Sequence, residues 1–128
     1  MCKVYSCYYD SPLGRMLLSA RGEFLIGAWF VGQKYCEEPG ELLESHPALI
    51  AAKEWLNRYF SGENPDPMSL ALKPEGTAFQ QAVWAGLLQI PYGQTVTYGA
   101  LAKALGCGSA RAVGGAVGRN PISVIIPC

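Results

Sequence analysis

The turn-rich segment at residues 61–68 (SGENPDPM), which separates short apolar runs and one helical stretch from a half patterned as helices, limits the fold more than any other feature. Before that segment, short apolar runs alternate with turn formers up to a single helical stretch; after it, apolar residues recur at helical spacing. Strands gathered ahead of helices describe an α+β chain, and the Gly/Pro/Asn/Asp-rich segment between them marks a linker. The expected organisation is therefore a small α/β domain over residues 1–68 and a helical domain over residues 69–128. A chain of 128 residues, half of them hydrophobic, can bury a real core.

In the first half, residues 4–9 and 16–20 flank Ser11-Pro12-Leu13-Gly14 as the arms of a hairpin flank its turn. Arg21-Gly22 leads into a third run at 24–30, which predicts a small antiparallel sheet. Residues 46–60 are helical in pattern, with Leu49, Ala52, Leu56 and Tyr59 on one face and Gly62 just beyond the end. In the second half, Thr77 can cap a helix running to about Gln89, with Phe79, Val83, Leu87 and Ile90 inward and Pro91-Tyr92-Gly93 as its stop. Thr97 can cap a helix over 98–105, Gly106-Cys107-Gly108 makes a turn, and Ser109 can cap a third helix to about Val117. Two short helices joined by a glycine-containing turn predict a helix-turn-helix.

That third helix, ARAVGGAVG at 110–118, carries three glycines, each costing up to ~1 kcal/mol relative to Ala. Small side chains let a backbone approach another backbone closely, so either a neighbouring helix or a DNA groove could offset the cost. Arg111 is the only long charged side chain on it. The final run, NPISVIIPC at 120–128, is apolar and strand-like, lies between two prolines and ends on Cys128. Composition and spacing leave that thiol as readily a small buried hydrophobe as a nucleophile.

A formal net charge of zero conceals a division. Every acidic residue lies at or before Glu75, so residues 1–76 carry −3 and residues 77–128 carry +3 with no carboxylate. An acid-free segment suits a polyanionic partner, although chance in a short Gly/Ala-rich stretch gives the same count. No apolar run approaches the ~20 residues of a bilayer span, and the start has no basic region followed by an apolar stretch. The expectation is a cytoplasmic protein with no membrane partner. The five scattered cysteines include no CxxC pair and His46 is the sole histidine, so reduced thiols are expected and only Cys2 with Cys7 leaves a zinc site open.

Three stretches, FQQAVWAGLLQIPYGQTVTYGALAKALG at 79–106, ARAVGGAVGRNP at 110–121 and ISVIIPC at 122–128, together resemble the methylated-DNA–protein-cysteine methyltransferases, the O6-alkylguanine-DNA alkyltransferases. The SPLG turn with its following strands and the YFSG segment before the linker resemble that family's variable N-terminal domain. The resemblance implies a suicide enzyme of DNA repair, acting as a monomer on double-stranded DNA that contains O6-alkylguanine. Cys128 would take the alkyl group from O6-methylguanine, or from O4-methylthymine, once and irreversibly, with no cofactor or metal. The target base would have to leave the stack.

By matching position, Arg111 is similar to the family's arginine finger, which fills the gap left by the extruded base. Tyr98 resembles the tyrosine that crowds the target phosphate and assists rotation of the nucleotide. Ala110, Gly114 and Gly115 would permit the family's minor-groove approach, and Asn120 is similar to the asparagine that orders the active-site turn. The family's motif continues from Pro-Cys into His-Arg, a pocket loop and a final helix, whereas this sequence stops at Cys128. Two expectations follow: a longer alkyltransferase of which these residues lack the C-terminal tail, or an alkyltransferase-like lesion-binding protein with impaired transfer.

Overall fold

The computed structural model describes residues 3–33, 36–90, 96–106 and 108–126. Strands β1 (Val4–Ser11), β2 (Gly14–Arg21) and β3 (Phe24–Phe30) form the expected antiparallel meander. A two-residue strand β4 (Glu41–Leu42) adds parallel to β1, so the sheet is mixed, in the order β3-β2-β1-β4. Strand β2 is not half-exposed: Met16, Leu17, Leu18 and Ala20 are all buried, because a central strand is covered on both faces. Mid-strand Gly27 leaves room for the Trp29 ring, which occupies the place that a Cβ at Gly27 would take.

Helix α1 (Pro47–Phe60) packs across β1, β2 and β3. His46 caps it rather than joining it: the imidazole Nδ1 accepts from the Ala48 N–H at 3.2 Å, and Pro47 opens the first turn, where no donor is needed. Leu49, Ala52, Trp55 and Leu56 face the core, while Tyr59 is only half-buried beside Trp55, on which it stacks. The Trp55 indole N–H donates to the Asp66 carbonyl at 3.0 Å and so ties the linker back onto this helix.

Beyond the linker the chain runs along the outer edge of β3. The Leu25 N–H donates to the Ala71 carbonyl at 2.8 Å, and the Lys73 N–H donates to the Leu25 carbonyl at 2.9 Å. Helix α2 (Ala78–Leu88) then starts at Thr77 with both halves of a capping box, Gln80 N–H to Thr77 Oγ1 at 3.1 Å and Thr77 N–H to Gln80 Oε1 at 3.0 Å. Its inward face differs from expectation. Val83, Trp84 and Leu87 are buried, whereas Phe79 is 38% exposed and Ile90 only partly covered. The helix is turned so that the Trp84 indole can donate to the buried Ala116 carbonyl, at 2.9 Å. The stop at Pro91-Tyr92-Gly93 lies outside the described residues.

Helices α3 (Tyr98–Ala104) and α4 (Ala110–Gly118) follow and pack on each other, with α2 against α4. One apolar cluster runs through the whole fold, from Leu18, Ala28 and Leu56 to Val83, Val113, Ile122 and Ile126. The described part of the terminal run, residues 120–126, is not a strand. Ile122 forms a single parallel bridge with Ala28, after which the chain turns through Val124, whose φ of 72° is left-handed. A β-branched residue rarely adopts that conformation, and here it ends the extended run after one bridge.

Candidate nucleic-acid interface

Side chains supplied within four residues build both helices of the pair. The Thr97 Oγ1 accepts from the Ala100 N–H at 3.0 Å and starts α3; the Ser109 Oγ accepts from the Ala112 N–H at 3.1 Å and starts α4. Gly106, at φ 72°, ends α3 in the left-handed conformation that glycine adopts at low cost, and Cys107 in the same turn lies outside the described residues. Val113, Ala116 and Val117 anchor α4 inward, which sets its opposite side toward solvent.

That outer side bears Ala110, Arg111, Ala112, Gly115, Gly118 and Arg119, all exposed. A Cβ at Gly115 or Gly118 would meet nothing within 4 Å. Gly114 is different: it is partly covered, and a Cβ there would stand 3.1 Å from Cδ2 and Cε2 of Tyr98. Both origins considered for the glycine-rich sequence therefore occur on one helix. Gly114 packs against α3, and Gly115 and Gly118 leave backbone open to an outside partner.

Tyr98 stands at the first position of α3 and is 50% exposed. Arg111 takes part in no ion pair among the described residues, and no carboxylate occurs in the sequence beyond Glu75. A guanidinium on a surface stripped of side chains and of negative charge is suited to a polyanion that comes close to the helix backbone.

Behind α4, Asn120 is 7% exposed and its amide bridges the chain that leads to Cys128. Its Nδ2 donates to the Ile126 carbonyl at 2.9 Å, and its Oδ1 accepts from the Ile122 N–H at 3.0 Å. The same segment is held from the sheet: the Ala28 N–H donates to the Pro121 carbonyl and the Ser123 N–H to the Ala28 carbonyl, both at 2.8 Å. Cys128 and Pro127 lie outside the described residues. Of the other cysteines, Cys7 is buried under α1, and burial pushes its thiol up, which keeps it neutral and unreactive. Cys2, the possible partner of Cys7 in a zinc site, is likewise outside the described residues.

Structure thus gathers Tyr98, Gly114, Gly115, Ala110 and Arg111 on two adjoining helices and sets Asn120 behind them. Ala28 and Trp84 also position this region, although the sequence reading passed over both. The signal available for Ala28 was that a three-stranded meander leaves the outer edge of β3 unpaired, which some other segment must cover. No local signal pairs Trp84 with a carbonyl in a helix that begins 26 residues later.

Residues 4–74 match the family model described as 6-O-methylguanine DNA methyltransferase, ribonuclease-like domain, and residues 78–128 match that family's DNA binding domain. A methylated-DNA–protein-cysteine methyltransferase of Haemophilus influenzae is 45% identical over 130 residues, covering 100% of this chain and 73% of the relative. Its counterpart in Methanosarcina acetivorans is 42% identical, covering 98% and 81%. The crystal structure of Mycobacterium tuberculosis O6-methylguanine methyltransferase superposes with a TM-score of 0.81 at 39% identity, covering 98% of this chain and 76% of that one. A Mycobacterium tuberculosis OGT crystallised in complex with DNA gives the same TM-score at 40% identity, covering 97% and 76%. On this agreement of sequence and fold across both halves, the chain belongs to the 6-O-methylguanine DNA methyltransferase family.

Proposed function

We infer that the protein repairs DNA by direct transfer of an alkyl group from O6-alkylguanine to its own Cys128. The observation that carries this reading is the outer face of α4, a helix in a DNA-binding family whose exposed surface is backbone and small side chains, with Arg111 and Arg119 as its long charged side chains. In the transfer, the Cys128 thiolate donates an electron pair to the methyl carbon, the S–C bond forms and the C–O6 bond breaks. The guanine leaves with the bonding pair, takes up a proton, and is restored. The thioether is stable, so each molecule acts once and needs no cofactor.

Each further residue has a role in bringing the lesion to that thiol. Docking of α4 in the minor groove, permitted by Ala110 and Gly115, sets Arg111 into the stack where the target guanine was. Tyr98 crowds the phosphate of the turning nucleotide, which lowers the cost of leaving the helix. Asn120 fixes the main chain immediately before Cys128. One lesion meets one acceptor, so a monomer suffices, and the need to keep the acceptor reduced places the protein in the cytoplasm. The domain division proposed for it is residues 1–68 and 69–128, at the end of the turn-rich linker.

Intact mass before and after mixing with a duplex containing O6-methylguanine tests the reading. The expected result is a gain of one methylene, mapped to Cys128 and abolished in Cys128→Ala while duplex binding persists. Tight, lesion-selective binding with no gain in mass would replace transfer by recognition alone.

A further inference from the structure

We propose that Gly114 is a positioning residue: the place of its missing side chain is the seat of the Tyr98 ring, and it acts on the target nucleotide through that ring instead of by contact with DNA. The inference rests on the role given above to Tyr98. A Cβ at Gly114 would approach Cδ2 and Cε2 of Tyr98 to 3.1 Å and Cγ to 4.0 Å, whereas at neighbouring Gly115 it would meet nothing within 4 Å. Carbon atoms rest at about 3.5–4.0 Å, so a methyl group at 114 must drive the ring edge away by some tenths of an ångström.

What yields is the ring. The backbone under Tyr98 is fixed by the Thr97 cap at 3.0 Å, while the residue is 50% exposed. Gly114→Ala therefore moves Tyr98 outward without opening the core, and alanine improves the intrinsic helix propensity of α4. A small displacement of a group that orients substrate is expensive in rate, up to about 100-fold per ångström.

Transfer rates from an O6-methylguanine duplex and from the free O6-methylguanine base are measured on the full chain, for wild type, Gly114→Ala, Tyr98→Ala and the double substitution. Gly115→Ala, alone and with Tyr98→Ala, is the comparison. The expected result is that Gly114→Ala lowers the ratio of duplex to free-base rates by about 3–30-fold, and that the loss vanishes when Tyr98 is already alanine. Gly115→Ala, whose methyl points into open space, should cost the same in both backgrounds. A Gly114→Ala loss of equal size with and without Tyr98 would assign Gly114 to direct DNA contact and overturn the proposal, as would equal losses on duplex and free base. Tyr98→Ala transferring from duplex at the wild-type rate overturns the role of Tyr98, and with it the seat. A wild-type chain that transfers from neither substrate overturns the functional reading itself.

Discussion

Replacing Asn120 tests whether its amide is what orders the chain before Cys128. Both hydrogen bonds lie where water does not reach, since Ile122 and Ile126 are fully buried and Asn120 nearly so. Asn120→Ala leaves the Ile122 N–H without this acceptor and the Ile126 carbonyl without this donor. At about 1–3 kcal/mol for each buried group left unsatisfied, the loss is about 2–6 kcal/mol, a large part of the ~5–15 kcal/mol available to a domain. Asn120→Asp separates the two bonds. Its carboxyl can still accept from Ile122, but it must hold a proton to donate to Ile126, so its folded pKa rises above the usual ~3.9. The native state then binds more protons than the unfolded chain, and stability falls as pH rises from about 4 to the raised value, by up to ~1.4 kcal/mol per pH unit. Urea unfolding between pH 4 and 8 should show Asn120→Asp close to wild type at the acid end and at least as weak as Asn120→Ala at neutrality. An aspartate variant with no pH dependence beyond that of wild type would refute the assigned donor, and an alanine variant within ~0.5 kcal/mol of wild type would refute the bridge.

Arg111→Ala should slow transfer from duplex about 5–30-fold more than from the free base, if the finger offsets 1–2 of the few kcal/mol lost on unstacking; equal losses on both substrates contradict the finger. Cys7 should resist iodoacetamide at pH 8 in the native protein while half-buried Cys36 is labelled, as read by peptide mass. Because burial raises the folded pKa of Cys7 above its ordinary value of 9.0, its contribution to stability is intact below that value and lost as pH rises through the raised one. Cys7→Ala should flatten the alkaline limb of the stability profile, and an unchanged limb would show that another group governs it. Thr77→Ala should cost about 1 kcal/mol in urea unfolding and Thr77→Ser should recover most of it, since only the hydroxyl caps α2; equal losses in both variants would point to the lost methyl instead.

The elements that the sequence shows clearly are those whose determinants lie close together along the chain. Thr77, Thr97 and Ser109 each cap a helix by accepting from an N–H three residues on, and β3 spans the apolar run from Phe24 to Phe30. Where the reading went astray, a distant partner decided the outcome. Phe79 has the right spacing for the buried stripe of α2, yet the Trp84 bond to Ala116 turns that helix and leaves the phenyl ring partly in solvent. Residues 120–126 have a strand's composition, but their backbone groups bond to Ala28, to the Asn120 amide and to one another within a few residues, and Val124 bends the chain. Short apolar runs carry no mark of how far pairing extends, because that depends on the edge that receives them.

The site was partly legible for a related reason. Resemblance to a family selected Tyr98, Arg111 and Asn120, and the fold sets the first two on adjoining exposed surfaces and the third behind them. The resemblance selected the adjacent glycines Gly114 and Gly115 together, and helix geometry gives them different surroundings. Consecutive residues on an α-helix point about 100° apart, so Gly114 and Gly115 cannot present the same direction to a partner. Once Val113, Ala116 and Val117 fix the inward side, one glycine must fall toward the flank and the other toward solvent. The flank happens to hold Tyr98. A pair of residues that looks redundant in sequence therefore has two surroundings: one position admits an aromatic ring of the protein, and the next leaves backbone exposed.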